Sequence, residues 1–497
     1  MNDILLINPK IVEAQADWMN KASYGSMTMS LGALAGYLAK HTEAKIKILD
    51  EAVETIDERR LRQEIKNLTA PKIAGISAVT ITVARAFRIA EQIKQIDENV
   101  KTIIGGVHVT AIPNEALAKK SIDIVVRGEG EATLLELYQK IKRNENYEKI
   151  LGISFRRGGR FIHNSGRPKL PVEEIPPFPY HLFDEFAHLY KDFNGVISSR
   201  GCPYDCIFCS QRIITGRTVG FFPVERVIND IKLLVDKYKA KYINFLDDNF
   251  CISRKRLNEL LDAIIESGYQ KKTCFCAQVR ADTVTPEIMK KLKESNVTQL
   301  NLGMESGSDR LLEVLRKRQK VEDNVRAIKI AAEYKVPVMA CLIFGLPTET
   351  RGERLKTAKL IRSLPLSSAR FNIAIPYPGT ELYEIAKREN ALNIDKGWKN
   401  FSVQSYLMSE NIPYVAKGIN KAILIYDTFM ANVRFYLRWK IIKENIMYET
   451  PIGGAVTFKK GWYLSPKEWL FFARMGFWII SRSSRIILRR LWAGFLK

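Results

Sequence analysis

The stretch SRGCPYDCIFCSQ, residues 199–211, governs the reading of the whole chain. It sets Cys202, Cys206 and Cys209 in a Cys-x3-Cys-x2-Cys spacing. The run NGVISS (194–199) just before it has strand character, so the three thiols fall on the loop after a strand. Thiolates are soft ligands that select zinc or iron–sulfur clusters. Structural zinc takes four ligands, yet only three cysteines are local and no histidine stands near them. A [4Fe–4S] cluster held by three thiolates leaves one iron open for a substrate or cofactor. Two assignments compete: buried structural cysteines, or a zinc site completed by a distant cysteine.

Downstream of the loop, strand and helix patterns alternate. The strand candidates are KYINFL (241–246), TCFCAQV (273–279), TQLNLG (298–303), VPVMACLIF (336–344) and SARFNIAI (368–375). With NGVISS they make six strand–helix units, which predict a partial (β/α)6 TIM-type barrel over residues 194–390. Upstream, ILLINP (4–9), KIKIL (45–49), KIAGIS (72–77), KTIIGG (101–106) and DIVVRG (123–128) alternate with helical patterns. This predicts a Rossmann-like, doubly wound parallel sheet over residues 1–150 of an α/β chain, with ligands at the C-terminal strand ends. Residues 151–193 read as a hairpin turning at Gly158-Gly159 and the Pro-rich linker RPKLPVEEIPPFPY (167–180). Residues 391–497 read as a helical C-terminal region.

The seven cysteines are odd in number and three crowd together, the usage of an intracellular metal or redox site rather than a secreted disulfide framework. The start MNDILLINPK reads as a strand and not a signal peptide. No uncharged apolar run reaches the roughly 18 residues a spanning helix needs, so the expected location is cytoplasmic. The net charge of +23 calls for an anionic partner: nucleic acid, a membrane surface or acidic small molecules. Residues 469–497 carry Arg474, Arg482, Arg485, Arg489, Arg490 and Lys497, no acid, and seven aromatic rings including Trp469, Trp478 and Trp492. That pattern predicts an in-plane amphipathic helix, peripheral on the inner face of an anionic membrane. A lid packed on the barrel, or an RNA-binding segment, are the competing assignments.

The cysteine run resembles the CxxxCxxC motif of the radical S-adenosylmethionine (AdoMet) superfamily, with Phe208 as the usual aromatic before the last cysteine. The resemblance implies a [4Fe–4S] cluster on Cys202, Cys206 and Cys209 whose open iron chelates S-adenosyl-L-methionine. Reduction, by a one-electron donor such as flavodoxin or ferredoxin, then yields a 5′-deoxyadenosyl radical that abstracts hydrogen. The cofactor does the hard chemistry and the barrel orients it. Further pieces follow in the family's order. FLDDNF (245–250) resembles the cobalamin-dependent branch, and there Asp247 and Asp248 would hold the AdoMet amino group. In QVRAD (278–282), Arg280 would grip its carboxylate. In GMESG (303–307), Glu305 would accept from the ribose hydroxyls with Ser306 beside it. IFGLPTET (343–350), with Gly345, resembles the segment flanking the adenine. Helix capping by the Asp pair or by Ser306, and a structural ion pair at Arg280, are the plainer alternatives.

Residues 1–150 resemble the cobalamin (B12)-binding domain found before many such barrels. The matching pieces are SLGALAGYL (30–38), GISAVT (75–80), GGVHVTAIPNEAL (105–117) and VRGEGEATLLEL (126–137). The resemblance implies that Gly105 and Gly106 let backbone approach a corrin, that Ser77 and Thr80 contact its tail or amides, and that His108, Gly128 and Glu129 lie at the same site. The Asp-x-His-x-x-Gly run that supplies a cobalt ligand in methionine-synthase-type domains is missing from the sequence. The expected activity is cobalamin-dependent C-methylation of an unactivated carbon on a lipid-like, isoprenoid or pigment substrate. Ring formation, ring contraction or oxygen insertion without methyl transfer is the nearest rival. A tRNA methylthiotransferase would need three more clustered cysteines, whereas Cys251, Cys274, Cys276 and Cys341 are scattered, so nucleic acid is not the expected partner.

Overall fold

The computed structural model describes residues 2–10, 27–190, 193–394, 397–402, 411–438 and 441. The first half folds around a seven-stranded sheet in the order β2-β1-β3-β4-β5-β6-β7. Its strands are β1 (Asn2–Asn8), β2 (Ile46–Asp50), β3 (Leu68–Ser77), β4 (Lys101–Gly105), β5 (Ile124–Val126), β6 (Ile153–Arg157) and β7 (Arg160–His163). β1 to β5 are parallel, as strand–helix alternation requires. β1 reads ILLI with Ile4, Leu5, Leu6 and Ile7 all fully buried, because helices cover both faces of a central parallel strand. The hairpin at Gly158-Gly159 forms as expected, and β6 pairs antiparallel onto β5, so it extends this sheet.

The second half is a six-stranded parallel sheet in the order β15-β14-β13-β12-β11-β8, a partial barrel. Its strands are β8 (Gly195–Val196), β11 (Tyr242–Phe245), β12 (Cys274–Val279), β13 (Val297–Glu305), β14 (Val338–Phe344) and β15 (Ser368–Ile373). A short ribbon of β9 (Ser199–Arg200) and β10 (Gly220–Phe221) sits at the mouth. Register separates the two faces of the sheet. Ile243, Phe245, Phe275, Ala277, Leu300, Leu302, Ala340, Leu342, Phe371 and Ile373 pack outward in the main core. The alternate positions turn to the other face, where the amides Asn244, Gln278, Gln299, Asn301 and Asn372 stand among Cys276, Met339, Cys341 and Ile343.

The Pro-rich connection is packed rather than loose. Phe178, Tyr180, Phe183, Phe186 and Tyr190 are buried in an aromatic cluster with Phe193 and Tyr238. Tyr190 donates to Asp50 at the end of β2 (2.6 Å), and Tyr180 donates to the Gly195 carbonyl of β8 (3.0 Å). The belt therefore joins the two sheets. Phe178 lies where a Gly32 side chain would stand, with its ring 2.1 Å from a Cβ there, so only glycine lets the belt close on the helix Met29–His41. Past the barrel, Trp398 and Phe401 return to the outer core of the first half. The helix Lys421–Tyr436 packs on β15. Among the described residues no helix is long and apolar enough to cross a membrane. The amphipathic segment 469–497 lies outside the described residues.

Candidate active site

The three cysteines sit on the loop between β9 and the short helix Gln211–Thr215, at the C-terminal end of the barrel's first strand. Cys206 is buried, and Cys202 and Cys209 are partly so. Burial pushes all three thiols up. At Cys206 the ammonium of Lys317 and the guanidinium of Arg280 pull the other way. The thiols are near enough for Cys209 to feel both Cys206 and Cys202. Among the described residues no three His, Cys, Asp or Glu side chains converge on one metal ion. A cluster asks for a different arrangement, with each thiolate on its own iron. Three neighbouring thiols, two of them influenced by the Lys317 and Arg280 cations, are a donor set that fits a [4Fe–4S] group.

The loop is held from all sides. Gly201 takes a positive φ (+94°), and a Cβ there would lie 2.1 Å from the Thr218 carbonyl oxygen. The Gly201 N–H donates to Asp248 (3.1 Å). The Arg280 guanidinium stacks over the Tyr204 ring, 3.5 Å from its centroid. The Ile207 N–H donates to the Leu315 carbonyl (3.2 Å). Asp205 pairs with Arg318 (3.0 Å) and Arg217 (3.4 Å). Phe208 packs against the small core of Ile207, Leu315 and Leu346.

The residues expected at the AdoMet site lie at the ends of successive strands, and most already have partners. Asp247 is buried and accepts from the Ser198 N–H (3.1 Å), the Ser198 hydroxyl (2.8 Å) and the Ser199 hydroxyl. Asp248 faces a cavity, and burial raises its carboxyl. Arg280 donates to both oxygens of Asp282 (3.1 Å each) and to the Lys317 carbonyl (2.8 Å). Glu305 stands at φ +61° and accepts from the Lys317 ammonium (2.8 Å). Ser306 accepts from the Ser308 N–H (3.2 Å). Gly345, at φ +78°, donates to Glu349 (2.6 Å) and is covered by Leu424 of the helix Lys421–Tyr436.

One cavity of about 400 Å³ joins the two halves. The first half contributes Ser77, Gly105, Gly106, Gly128 and Glu129 from the ends of β3, β4 and β5. The barrel side contributes Ser199, Arg200, Gln211, Leu246 and Asp248, around the cysteine loop. A Cβ on Gly128 would meet no protein atom within 4 Å, and one Glu129 carboxylate oxygen is buried without a partner. Open space above a glycine and an unmatched acceptor fit a large polar cofactor seated against these strand ends. Arg200 bridges the halves through Glu131 (2.7 Å). Gly106 serves packing, since a Cβ there would strike the Ala78 carbonyl oxygen at 2.5 Å. Thr80 and His108 do not line the cavity. His108 is buried away from it, bonded to Glu115 (3.0 Å) and edge-on to Trp398, whose indole N–H donates to the same carboxylate (2.8 Å).

Sequence reasoning missed Lys317, Tyr204, Arg200, Gly201 and the Ser198–Ser199 pair. SRG before the first cysteine carried a signal for Gly201. Lys317, inside the basic run LRKRQK (315–320), carried none, because such runs are usually solvated.

Comparison with known proteins gives a family. Residues 196–361 match the radical SAM superfamily, and residues 19–138 match the B12 binding domain. The chain is 33% identical over 416 residues to an uncharacterized methyltransferase of Pyrococcus horikoshii, covering 82% of this chain and 88% of that one. It is 22% identical over 457 residues to the anaerobic magnesium-protoporphyrin IX monomethyl ester cyclase of Rubrivivax gelatinosus, covering 90% and 80%. Among solved structures it resembles the radical S-adenosylmethionine methyltransferase TsrM of Kitasatospora setae, determined with cobalamin and a [4Fe–4S] cluster bound. The TM-score is 0.68 at 17% identity, covering 86% of this chain and 91% of that one.

Proposed function

The chain belongs to the radical SAM superfamily, in the branch that carries a B12-binding domain, and on that premise we propose that it is a cobalamin-dependent radical SAM methyltransferase. The observation that carries this reading is the shared cavity: the strand ends of the first half and the surroundings of the cysteine loop line one space. When bound, the cluster and AdoMet supply a hydrogen-abstracting radical, and cobalamin supplies the methyl group. The protein's part is to hold and orient. Cys202, Cys206 and Cys209 would hold the cluster. Asp248, at the cavity edge, is the acceptor available for the AdoMet amino group, while Asp247 fixes the Ser198–Ser199 approach to the loop. Phe208, Glu305, Ser306 and Gly345 would flank AdoMet, and Arg280 would steady the loop through Tyr204. Ser77, Gly105, Gly106, Gly128 and Glu129 would hold cobalamin. Thr80 and His108 would support that site from behind.

The substrate is read as a lipid, isoprenoid or pigment. The basic aromatic segment 469–497 supports this reading, as a contact with an anionic membrane. The amides of the barrel's inner face ask for hydrogen-bonding groups on part of that substrate. A one-electron protein donor such as flavodoxin or ferredoxin would reduce the cluster. A second reading is ring formation without methyl transfer, favoured by the likeness to the anaerobic cyclase over most of both chains. AdoMet labelled in its methyl group, given to protein reconstituted with iron, sulfide and cobalamin plus a lipid and pigment extract, separates the two. Label in a product means methylation. Deoxyadenosine with unlabelled product means the second reading. Replacing all three cysteines by alanine should abolish AdoMet cleavage; persistence of cleavage sinks the site.

A further inference from the structure

The most unusual charge near the cysteine loop is one the reading above leaves without a role. Lys317 is buried in the protein, on the segment after the helix Asp309–Val314. Its ammonium meets Glu305 at 2.8 Å, and both side chains are about nine-tenths buried. Burying two charges is costly and by itself weak evidence for stability. The backbone makes two concessions to house the pair. Gly303 leaves the space it occupies, because a Cβ there would lie 2.9 Å from the Lys317 nitrogen and 2.6 Å from a Glu305 oxygen. Glu305 itself adopts a left-handed φ of +61°, at the bulge where the β13–β14 register slips. Strain of this kind persists where surrounding structure over-determines it, and it collects at functional sites.

The same segment is tied to the cysteine loop. Leu315 accepts from Ile207, the Arg316 carbonyl lies 4.0 Å from the Cys206 sulfur, and the Lys317 carbonyl accepts from Arg280, which stacks on Tyr204. Lys317 acts on Cys206 more strongly than Glu305 does. The pair and the Cys206 thiol are thus joined through one short segment, the one that carries Leu315, Arg316 and Lys317.

We propose that Lys317, balanced by Glu305, sets the reduction potential of the iron–sulfur group held by Cys202, Cys206 and Cys209. It is a positioning residue that acts by charge. Adding one electron to a thiolate-bound cluster increases its negative charge, and a buried cation nearby stabilises that state far more than the same charge in water would. Lys317→Met should therefore disfavour the reduced state, and Glu305→Gln should favour it. A merely structural pair would not move the potential in opposite directions.

The proposal rests on the cluster assignment, so the test reads both. Full-length protein is reconstituted anaerobically and its iron counted. The one-electron couple is then titrated with dithionite and followed by electron paramagnetic resonance, without AdoMet. Lys317→Met should shift the reduction equilibrium about tenfold against reduction, about 59 mV more negative for one electron. Glu305→Gln should shift it positive, and Lys317→Arg should restore the wild-type value. An unchanged midpoint in iron-replete Lys317→Met, or shifts of the same sign in the two variants, overturns the proposal. If Lys317→Met fails to take up iron, Glu305→Gln decides alone, and an unchanged or more negative midpoint overturns it. Wild-type protein that binds no iron overturns the cluster assignment and this proposal with it.

Discussion

Gly201→Ala is the sharpest test of how the cysteine loop is held. Gly201 immediately precedes Cys202 and sits at φ +94°. The added Cβ would stand 2.1 Å from the Thr218 carbonyl oxygen, and real Cβ atoms stay beyond 3.0 Å, so something must move by 3.0 − 2.1 = 0.9 Å. The obstacle is backbone, which cannot swing aside as a side chain does. Left-handed strain costs about 1–3 kcal/mol, and forced overpacking about 1–3 kcal/mol more. Holding the native geometry would therefore cost roughly 2–6 kcal/mol. The β9–β10 ribbon has only two paired positions with which to resist, so it should open instead. Opening displaces Cys202 and weakens the Gly201 bond to Asp248. The control is Gly268→Ala, at φ +75° with no atom within 4 Å of its Cβ. It meets the strain without the clash. Iron and sulfide are counted per chain after anaerobic reconstitution, and AdoMet cleavage is measured beside them. Gly201→Ala should hold less than about half the wild-type iron, while Gly268→Ala should hold all of it. Full iron and wild-type cleavage in Gly201→Ala would refute the reasoning.

Three further perturbations test the surroundings. Burial raises the Asp230 carboxyl to about 7, so the folded state keeps a proton that the unfolded chain releases near pH 4. Stability from this group falls as pH rises from about 4 to about 7, and Asp230→Asn should flatten that slope, gaining on the order of 4 kcal/mol at pH 8 and little at pH 4 in urea unfolding. Asp427, on the helix Lys421–Tyr436, pairs with Arg351 (3.1 Å) and with buried Arg354 (3.3 Å), which also holds Glu349. Asp427→Ala should cost about 2–4 kcal/mol and expose that helix to limited proteolysis; unchanged cleavage counts against the anchor. Trp398→Phe removes one donor from Glu115 and should cost about 1–2 kcal/mol, seen as an earlier denaturant midpoint. A midpoint equal to wild type would mean that Glu115 needs only His108.

The alternation of strands and helices was legible because its periodicity is carried by every residue. Both parallel sheets formed where the apolar runs lay, and the six-strand barrel kept its order. The cysteine spacing was legible because local chain geometry fixes it. The rest is not local. Nothing around Asp247 announces that Ser198 and Ser199, some fifty residues earlier in the chain, will occupy its oxygens. Nothing in GGVHVT turns His108 toward Trp398, a residue 290 positions on. Phe178 and its neighbours read as a linker because Pro breaks regular structure, yet aromatic side chains there are buried whatever the backbone does.

The residues expected to bind AdoMet share a second property, and it explains why their strand-end positions recur. Asp247 and Asp248 close β11, Arg280 closes β12 and Glu305 closes β13, and each reaches the cysteine loop or something that touches it. A loop that must present three thiols to one cluster needs more than its own turns to hold them. Here each neighbouring strand end supplies one tie: Asp248 to Gly201, Arg280 to Tyr204, and Glu305 through Lys317 to the segment bonded at Ile207. Preorganisation of this sort moves the ordering cost from the moment of binding to the folding of the barrel. It also couples the two halves. Arg200, the residue before Gly201, is held by Glu131 of the first half, so the sheet that lines one side of the cavity has a direct hold on the loop at the other.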